Sequence, residues 1–233
     1  NIINFYQMSD WVKKDICYLH IPKTGGNWVR NVLRNSGIKE SKTNKINKHA
    51  TYDFLVGSKV SEINIFRKHS MDNIRFFCVI RHPLLWYQSW FNYQSQWRMG
   101  WKQFGKVGSL NKKDWHSLSP LNNPSISDFN EFMKIVNNKT PGFLTYLFYS
   151  YTIPSNARVL KNELLRDQLL QLNQEWNMGL DKSEIQKSDK VNVSPKSQII
   201  WSEENIKNTL NNESSLIKKY NYTNSPEDIV RIK

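Results

Sequence analysis

Cysteine is almost missing from this chain of 233 residues: Cys17 and Cys78 are the two. A disulfide-stapled scaffold is therefore excluded, and both residues lie in apolar runs, the pattern of buried free thiols. No run of apolar residues approaches the roughly 18 needed to span a bilayer. Asn1 to Phe5 carry neither the basic nor the apolar region of a signal peptide. The chain opens without Met, which reads as a trimmed start. There is no internal repeat, and no Cys/His cluster at zinc spacing. Acidic residues are scarce, 20 against 33 Lys and Arg, leaving a net charge of +13. Such an excess calls for an anionic partner: nucleic acid, an anionic polymer, a membrane surface or a highly phosphorylated small molecule.

What is present is enough for a core. Hydrophobic residues make up 39% and aromatics 13%, which excludes a disordered chain. The length suits one domain, residues 1–233. Ile16 to Ile21 reads as a buried strand ended by Pro22, and Asn27 to Asn35 as a helix stopped by Gly37. Arg75 to Arg81 reads as a second buried strand, and Pro83 opens a helix to about Gln96. Tyr52 to Val60 reads as a weak helix. Ser127 to Asn137 is a helix with Phe129, Phe132, Met133 and Val136 inward. Thr140-Pro141 starts another, with Thr as cap and Pro in first position. Ala157 to Leu160 is a short strand, Glu163 to Asn173 a leucine-rich helix, and Val191 to Val193 is extended. Ser202 caps a last helix running to about Tyr220. Strands alternating with helices give an α/β fold, three layers with a central parallel β-sheet flanked by helices. Residues 97–125 break the pattern. They read as a lid, a binding loop or a disordered segment; their tryptophans and lysines suit a flap over a sugar acceptor, a single-stranded nucleic acid, or a flap that packs its tryptophans inward.

The turn Pro22-Lys23-Thr24-Gly25-Gly26-Asn27-Trp28 carries the most chemistry. Two glycines let backbone approach a ligand, and the N–H groups of a helix start favour an anion. Lys23 adds a positive charge and Thr24 a hydroxyl donor. This is not a Walker A loop, whose Lys follows the glycines. The bland alternative is an ordinary strand-to-helix turn. Arg81 stands at the carboxyl end of the second strand, where open α/β sheets bind ligands. Ser89 follows eight residues on, about two helical turns. An Arg with a hydroxyl can hold a second phosphate. Alone, the pair reads first as an ion-paired arginine and a neutral helix serine.

Together these segments resemble the sulfotransferases that use 3′-phosphoadenosine 5′-phosphosulfate (PAPS), closest to the carbohydrate branch of Golgi and bacterial enzymes. Pro22 to Trp28 is similar to the family's 5′-phosphosulfate loop, with Leu19-His20-Ile21 before it. Arg81 to Ser89 matches the spacing of its 3′-phosphate motif. Asn47 to Thr51 resembles a histidine segment of the carbohydrate enzymes, and Arg158 to Asp167 their strand with an acidic stretch. Val191 to Lys196, with the last helix ending at Lys219 to Tyr222, resembles their cofactor-covering segment. The likeness runs from Ile16 to Tyr222. It departs where the family often has Ser or Thr after the glycines; here Asn27 and Trp28 follow.

The resemblance implies transfer of a sulfuryl group from PAPS to a hydroxyl acceptor, a carbohydrate in the first instance. Small-molecule or peptide hydroxyls are the alternative, with a P-loop-like kinase or a non-enzymatic anionic-polymer binder further off. It implies binding of the donor by Lys23, Thr24, Gly25, Gly26, Asn27, Trp28, Arg81, Ser89 and Lys196. Lys23 is then catalytic and His49 the base, an imidazole having a suitable ordinary pKa. His20 packs beneath the turn and His82 orients the Arg81 corner. Glu163 reads as a structural partner of a cation. No metal, nucleic acid or membrane segment is expected. Sequons occur at Asn138, Asn192, Asn212 and Asn221. A glycan on Asn192 would obstruct the covering segment, so the expected location is cytoplasmic, microbial or viral, with a lumenal Golgi-type fragment as alternative.

Overall fold

A computed structural model describes residues 12–13, 16–38, 74–93, 126, 128–152, 157–187, 199–222, 225–226, 229–230 and 232. His49, His69, His116, Lys196, the weak helix at Tyr52 to Val60, the flap at 97–125 and the extended Val191 to Val193 lie outside them. The described elements form a mixed α/β structure. The chain divides into two compact units, Asn1–Arg81 with Phe148–Asn192, and His82–Leu147 with Val193–Lys233.

The first unit holds the sheet. Its strands are β1 (Val12–Lys13), β2 (Ile16–Leu19), β3 (Arg75–Ile80) and β4 (Arg158–Lys161), in the order β1-β2-β3-β4. β2, β3 and β4 are parallel, and β1 is a short antiparallel edge. Parallel strands are covered on both faces, so they read as continuous apolar runs. Accordingly all four residues of β2 are buried, as are the last five of β3. One face carries Ile16, Tyr18, Phe77, Val79 and Leu160. It packs against α1 (Gly26–Asn35), α5 (Leu165–Trp176) and α6 (Lys182–Gln186) through Val29, Val32, Leu33, Leu169, Leu172 and Ile185. Arg75 lies over the Trp176 ring, 5.1 Å from its centroid, a cation–π contact that covers the sheet's lower end. Gly37 stops α1 with φ +78°, and Ile38 N–H donates to the Leu33 carbonyl at 3.0 Å, the Schellman closure.

The second unit is helical: α2 (Pro83–Asn92), α3 (Phe129–Lys139), the start of α4 (Phe143–Thr152), α7 (Glu203–Asn212) and α8 (Ser214–Lys219). The unit boundary falls inside α4 and directly after Arg81. Trp86 and Trp90, one turn apart, stack at 5.7 Å. α3 and α7 are joined by amides one heptad apart: Asn205 Nδ2 donates to the Asn130 carbonyl at 2.9 Å and Asn212 Nδ2 to the Asn137 carbonyl at 3.2 Å.

Two expectations are corrected here. Thr140-Pro141 does not start a helix. Thr140 closes α3, its N–H and hydroxyl both donating to the Val136 carbonyl, and α4 begins at Phe143. The last helix does not run unbroken from Ser202 to Tyr220. It ends at Asn212 and restarts at Ser214. Glu213 stands at the break and also accounts for the start of α4. The buried Glu213 carboxylate accepts from Leu144 N–H at 3.1 Å and Thr145 N–H at 2.7 Å, so a side chain from far along the chain caps α4. The Ser202 cap is as expected, its hydroxyl accepting from Asn205 N–H at 3.3 Å.

Candidate anion-binding site

Three parallel strands end on one edge of the sheet, and each delivers part of the site. β2 runs through His20 and Ile21 into the turn Pro22–Gly25, and α1 starts at Gly26. β3 delivers Arg81. β4 delivers Asn162, the first residue of a single 3-10 turn, Asn162–Leu164.

The turn is tightly specified. Lys23 has φ +64° and Gly25 φ +90°. The left-handed region costs a residue with a Cβ about 1–2 kcal/mol, so the surrounding turn must hold Lys23 in place. At Gly26 the constraint is steric: an added Cβ would lie 1.9 Å from His20 Nε2 and 2.0 Å from Cδ2. The His20 ring is buried beneath the helix start and stacks on Tyr18 at 5.8 Å. Burial pushes the Tyr18 phenol far above its ordinary value. Gly26→Ala therefore forces the imidazole or the helix start to move. The expected cost is about 1–3 kcal/mol of stability, as for overpacked cores, with a loss of anion affinity; thermal melts and titration check both.

Trp28 N–H donates to the Gly25 carbonyl at 3.0 Å and Val29 N–H to the same oxygen at 3.3 Å. The Gly26 and Asn27 N–H groups precede them in the first turn, where a helix offers no internal acceptor. α1 carries no acidic residue in its first turn, so nothing there competes with an anion for the dipole. Asn27 is exposed, and Trp28 packs partly against the core.

Arg81 meets the turn directly, its Nη1 donating to the Lys23 carbonyl at 3.4 Å. Two cationic residues from strands far apart in sequence thus share one edge. A guanidinium carries five donors in a fixed fork, a geometry suited to anionic oxygens. His82 behaves as a corner residue. Its Nδ1 accepts from Leu84 N–H at 3.2 Å and caps α2, where Pro83 sits in first position. Ser89 is half-buried two turns into α2.

One donor assignment is corrected. The Thr24 hydroxyl donates to the Ile21 carbonyl at 2.9 Å, and the residue is fully buried. The hydroxyl proton therefore closes the turn from inside. Asn162 was missed by the sequence reading. Its Nδ2 donates to the Thr24 carbonyl at 3.0 Å, and a Cβ on Gly25 would lie 2.5 Å from that nitrogen. The available signal was its position, the first polar residue beyond a third strand end. Glu163 is exposed.

Among the described residues there is no group of three or more His, Cys, Asp or Glu suited to a metal. No described helix is long and apolar enough to cross a membrane. Comparison with protein-family models, curated proteins and solved structures finds no match.

Proposed function

We propose that the chain is a PAPS-dependent sulfotransferase acting on a hydroxyl acceptor, with a carbohydrate as the preferred class, and that its sheet belongs to a three-layer P-loop-like fold. The observation that carries the reading is the meeting of Arg81 with the Lys23 turn at the ends of two parallel strands. A doubly phosphorylated nucleotide needs fixed positive groups at both ends, and this edge supplies a lysine, an arginine and a helix start.

The chemistry asked of these residues is positioning and charge neutralisation, as in phosphoryl transfer. The acceptor oxygen bonds to sulfur in line, the bond from sulfur to the 5′-phosphate oxygen breaks, and adenosine 3′,5′-bisphosphate leaves. Lys23 and the N–H groups at the start of α1 would neutralise charge growing on the leaving phosphate. Arg81, with Ser89, would hold the 3′-phosphate that distinguishes PAPS from ATP. Asn27 can add an amide donor, and Lys196 would cover the nucleotide. His49 would take the acceptor's proton. The location we favour is cytoplasmic, on the sequon argument alone.

The test is thermal stabilisation by nucleotides. At 100 times its Kd, adenosine 3′,5′-bisphosphate should stabilise the chain by about 2.7 kcal/mol, with ATP at the same concentration far less effective. Equal stabilisation by ATP would sink the reading in favour of a kinase-like site. Salt-suppressed binding of polyanions without any nucleotide effect would favour a plain polymer binder. Where the bisphosphate is preferred, labelled PAPS offered to panels of glycans, phenols and peptides identifies the acceptor.

A further inference from the structure

Asn162 is unassigned by anything above, yet it touches the turn at its most constrained point. Two consecutive carbonyls of the turn are tied back by side chains from neighbouring strand ends. Arg81 holds the Lys23 oxygen at 3.4 Å and Asn162 the Thr24 oxygen at 3.0 Å. A peptide unit is planar and trans, so fixing a carbonyl in one direction aims the next N–H in the opposite one. The Thr24 carbonyl points at Asn162; the Gly25 N–H therefore points away from it. Lys23 at φ +64° and Gly25 at φ +90° flank Thr24, a tight turn of the general kind in which successive N–H groups can form an anion-binding nest. The fit is close: the space a Gly25 side chain would need is taken by the Asn162 amide.

We infer that Asn162 is a positioning residue of the anion site, holding the Thr24–Gly25 peptide so that the Gly25 N–H faces the bound phosphate. The identity of that phosphate rests on the sulfotransferase reading; the orientation of the peptide does not. Asparagine suits the task because its amide nitrogen donates and carries no charge. An aspartate of the same shape would present only acceptors to the Thr24 carbonyl and would set a negative charge beside the anion. A merely structural amide would lose more from truncation to alanine than from exchange for its isostere, so the order of the two variants is diagnostic.

The experiment titrates the full chain with adenosine 3′,5′-bisphosphate calorimetrically and records the Gly25 amide resonance without ligand. Asn162→Ala is expected to weaken binding about five- to tenfold, the scale of one hydrogen bond, with little change in melting temperature. Asn162→Asp should weaken it further, and Asn162→Ala should displace the Gly25 resonance in the unliganded protein. If wild type binds and both variants bind as tightly, the positioning role is overturned and the sulfotransferase reading stands. If wild type binds no bisphosphate, that reading falls. The positioning role is then decided by the resonance: displacement in Asn162→Ala supports it, and an unmoved Gly25 signal overturns it. Should Asn162→Asp fail to fold, the alanine variant carries both measurements.

Discussion

Lys23→Gly is expected to melt at or above the wild-type temperature while losing most of the nucleotide affinity and nearly all of the sulfuryl transfer that the proposed function requires. The two effects separate because Lys23 pays for its position. At φ +64° it occupies a region that only glycine enters freely. Relief of about 1–2 kcal/mol of backbone strain offsets the extra freedom glycine gains in the unfolded chain. A net gain of up to about 1 kcal/mol corresponds to about 2–4 °C for a chain of this size. Function moves the other way. Removing a charged donor from a phosphate costs about 1.5–3 kcal/mol, roughly 10- to 100-fold in Kd. Removing a group that neutralises developing charge costs about 100- to 1,000-fold in turnover. Lys23→Ala keeps the strain and should show the same functional losses without the gain in stability. Differential scanning calorimetry, bisphosphate titration and transfer from labelled PAPS read the three quantities. A Lys23→Gly chain that turns over normally would remove Lys23 from the chemistry.

The same geometry predicts that Lys23 and Arg81 do not act independently. The Arg81 guanidinium rests on the Lys23 carbonyl, so Arg81→Ala would remove the proposed phosphate contact and also free the peptide that aims the next N–H. Residues sharing a contact give non-additive changes, commonly by about 0.5–3 kcal/mol. The double variant should therefore lose less nucleotide affinity than the two single losses combined. Full additivity would mean that the arginine reads the ligand without organising the turn.

Much of the site edge was legible because strand ends announce themselves. Ile16 to Leu19 and Phe76 to Ile80 are apolar throughout, and a proline follows each within three residues. The rule that ligands gather at carboxyl ends then brings the Lys23 turn and Arg81 together before any coordinates exist. Local chemistry also fixed the Gly37 stop and the Ser202 cap, since each is settled within a few residues. What stayed hidden was decided at long range or by a near tie. Asn162 donates to a carbonyl 138 residues away, which no local pattern encodes. The Thr24 hydroxyl had two acceptors to choose between, an incoming phosphate and the Ile21 carbonyl three residues back, and the sequence cannot rank them. Thr140-Pro141 has the composition of a helix start, yet the N–H groups that needed capping lie further on and find Glu213. Propensity yields to a charged acceptor in the interior.

Glu213 should be the most damaging single residue to alter in the helical unit. Its carboxylate is buried and accepts from four donors: Tyr87 O–H at 2.7 Å, Leu144 N–H at 3.1 Å, Thr145 N–H at 2.7 Å and the Thr145 hydroxyl at 2.6 Å. Two of these are the orphan donors of the α4 start, where a negative charge also meets the positive end of the helix dipole. Glu213→Ala leaves all four donors facing a cavity. The expected loss is about 3–5 kcal/mol, a fall in melting temperature on the order of 10 °C. Glu213→Gln keeps the shape but turns an amide N–H₂ toward donors, and should lose about half as much. Burial, and then the Glu213 carboxylate, push the Tyr87 phenol well above its usual range. With the folded pKa raised, that contribution is intact below the unfolded value of about 10 and is lost as pH climbs past it. Stability should therefore fall with rising pH above about 10, and less steeply in Tyr87→Phe, where no phenol ionises at that position. Urea melts across pH 7 to about 11 distinguish these cases. An unchanged midpoint in Glu213→Ala would show that α4 starts where it does without this carboxylate.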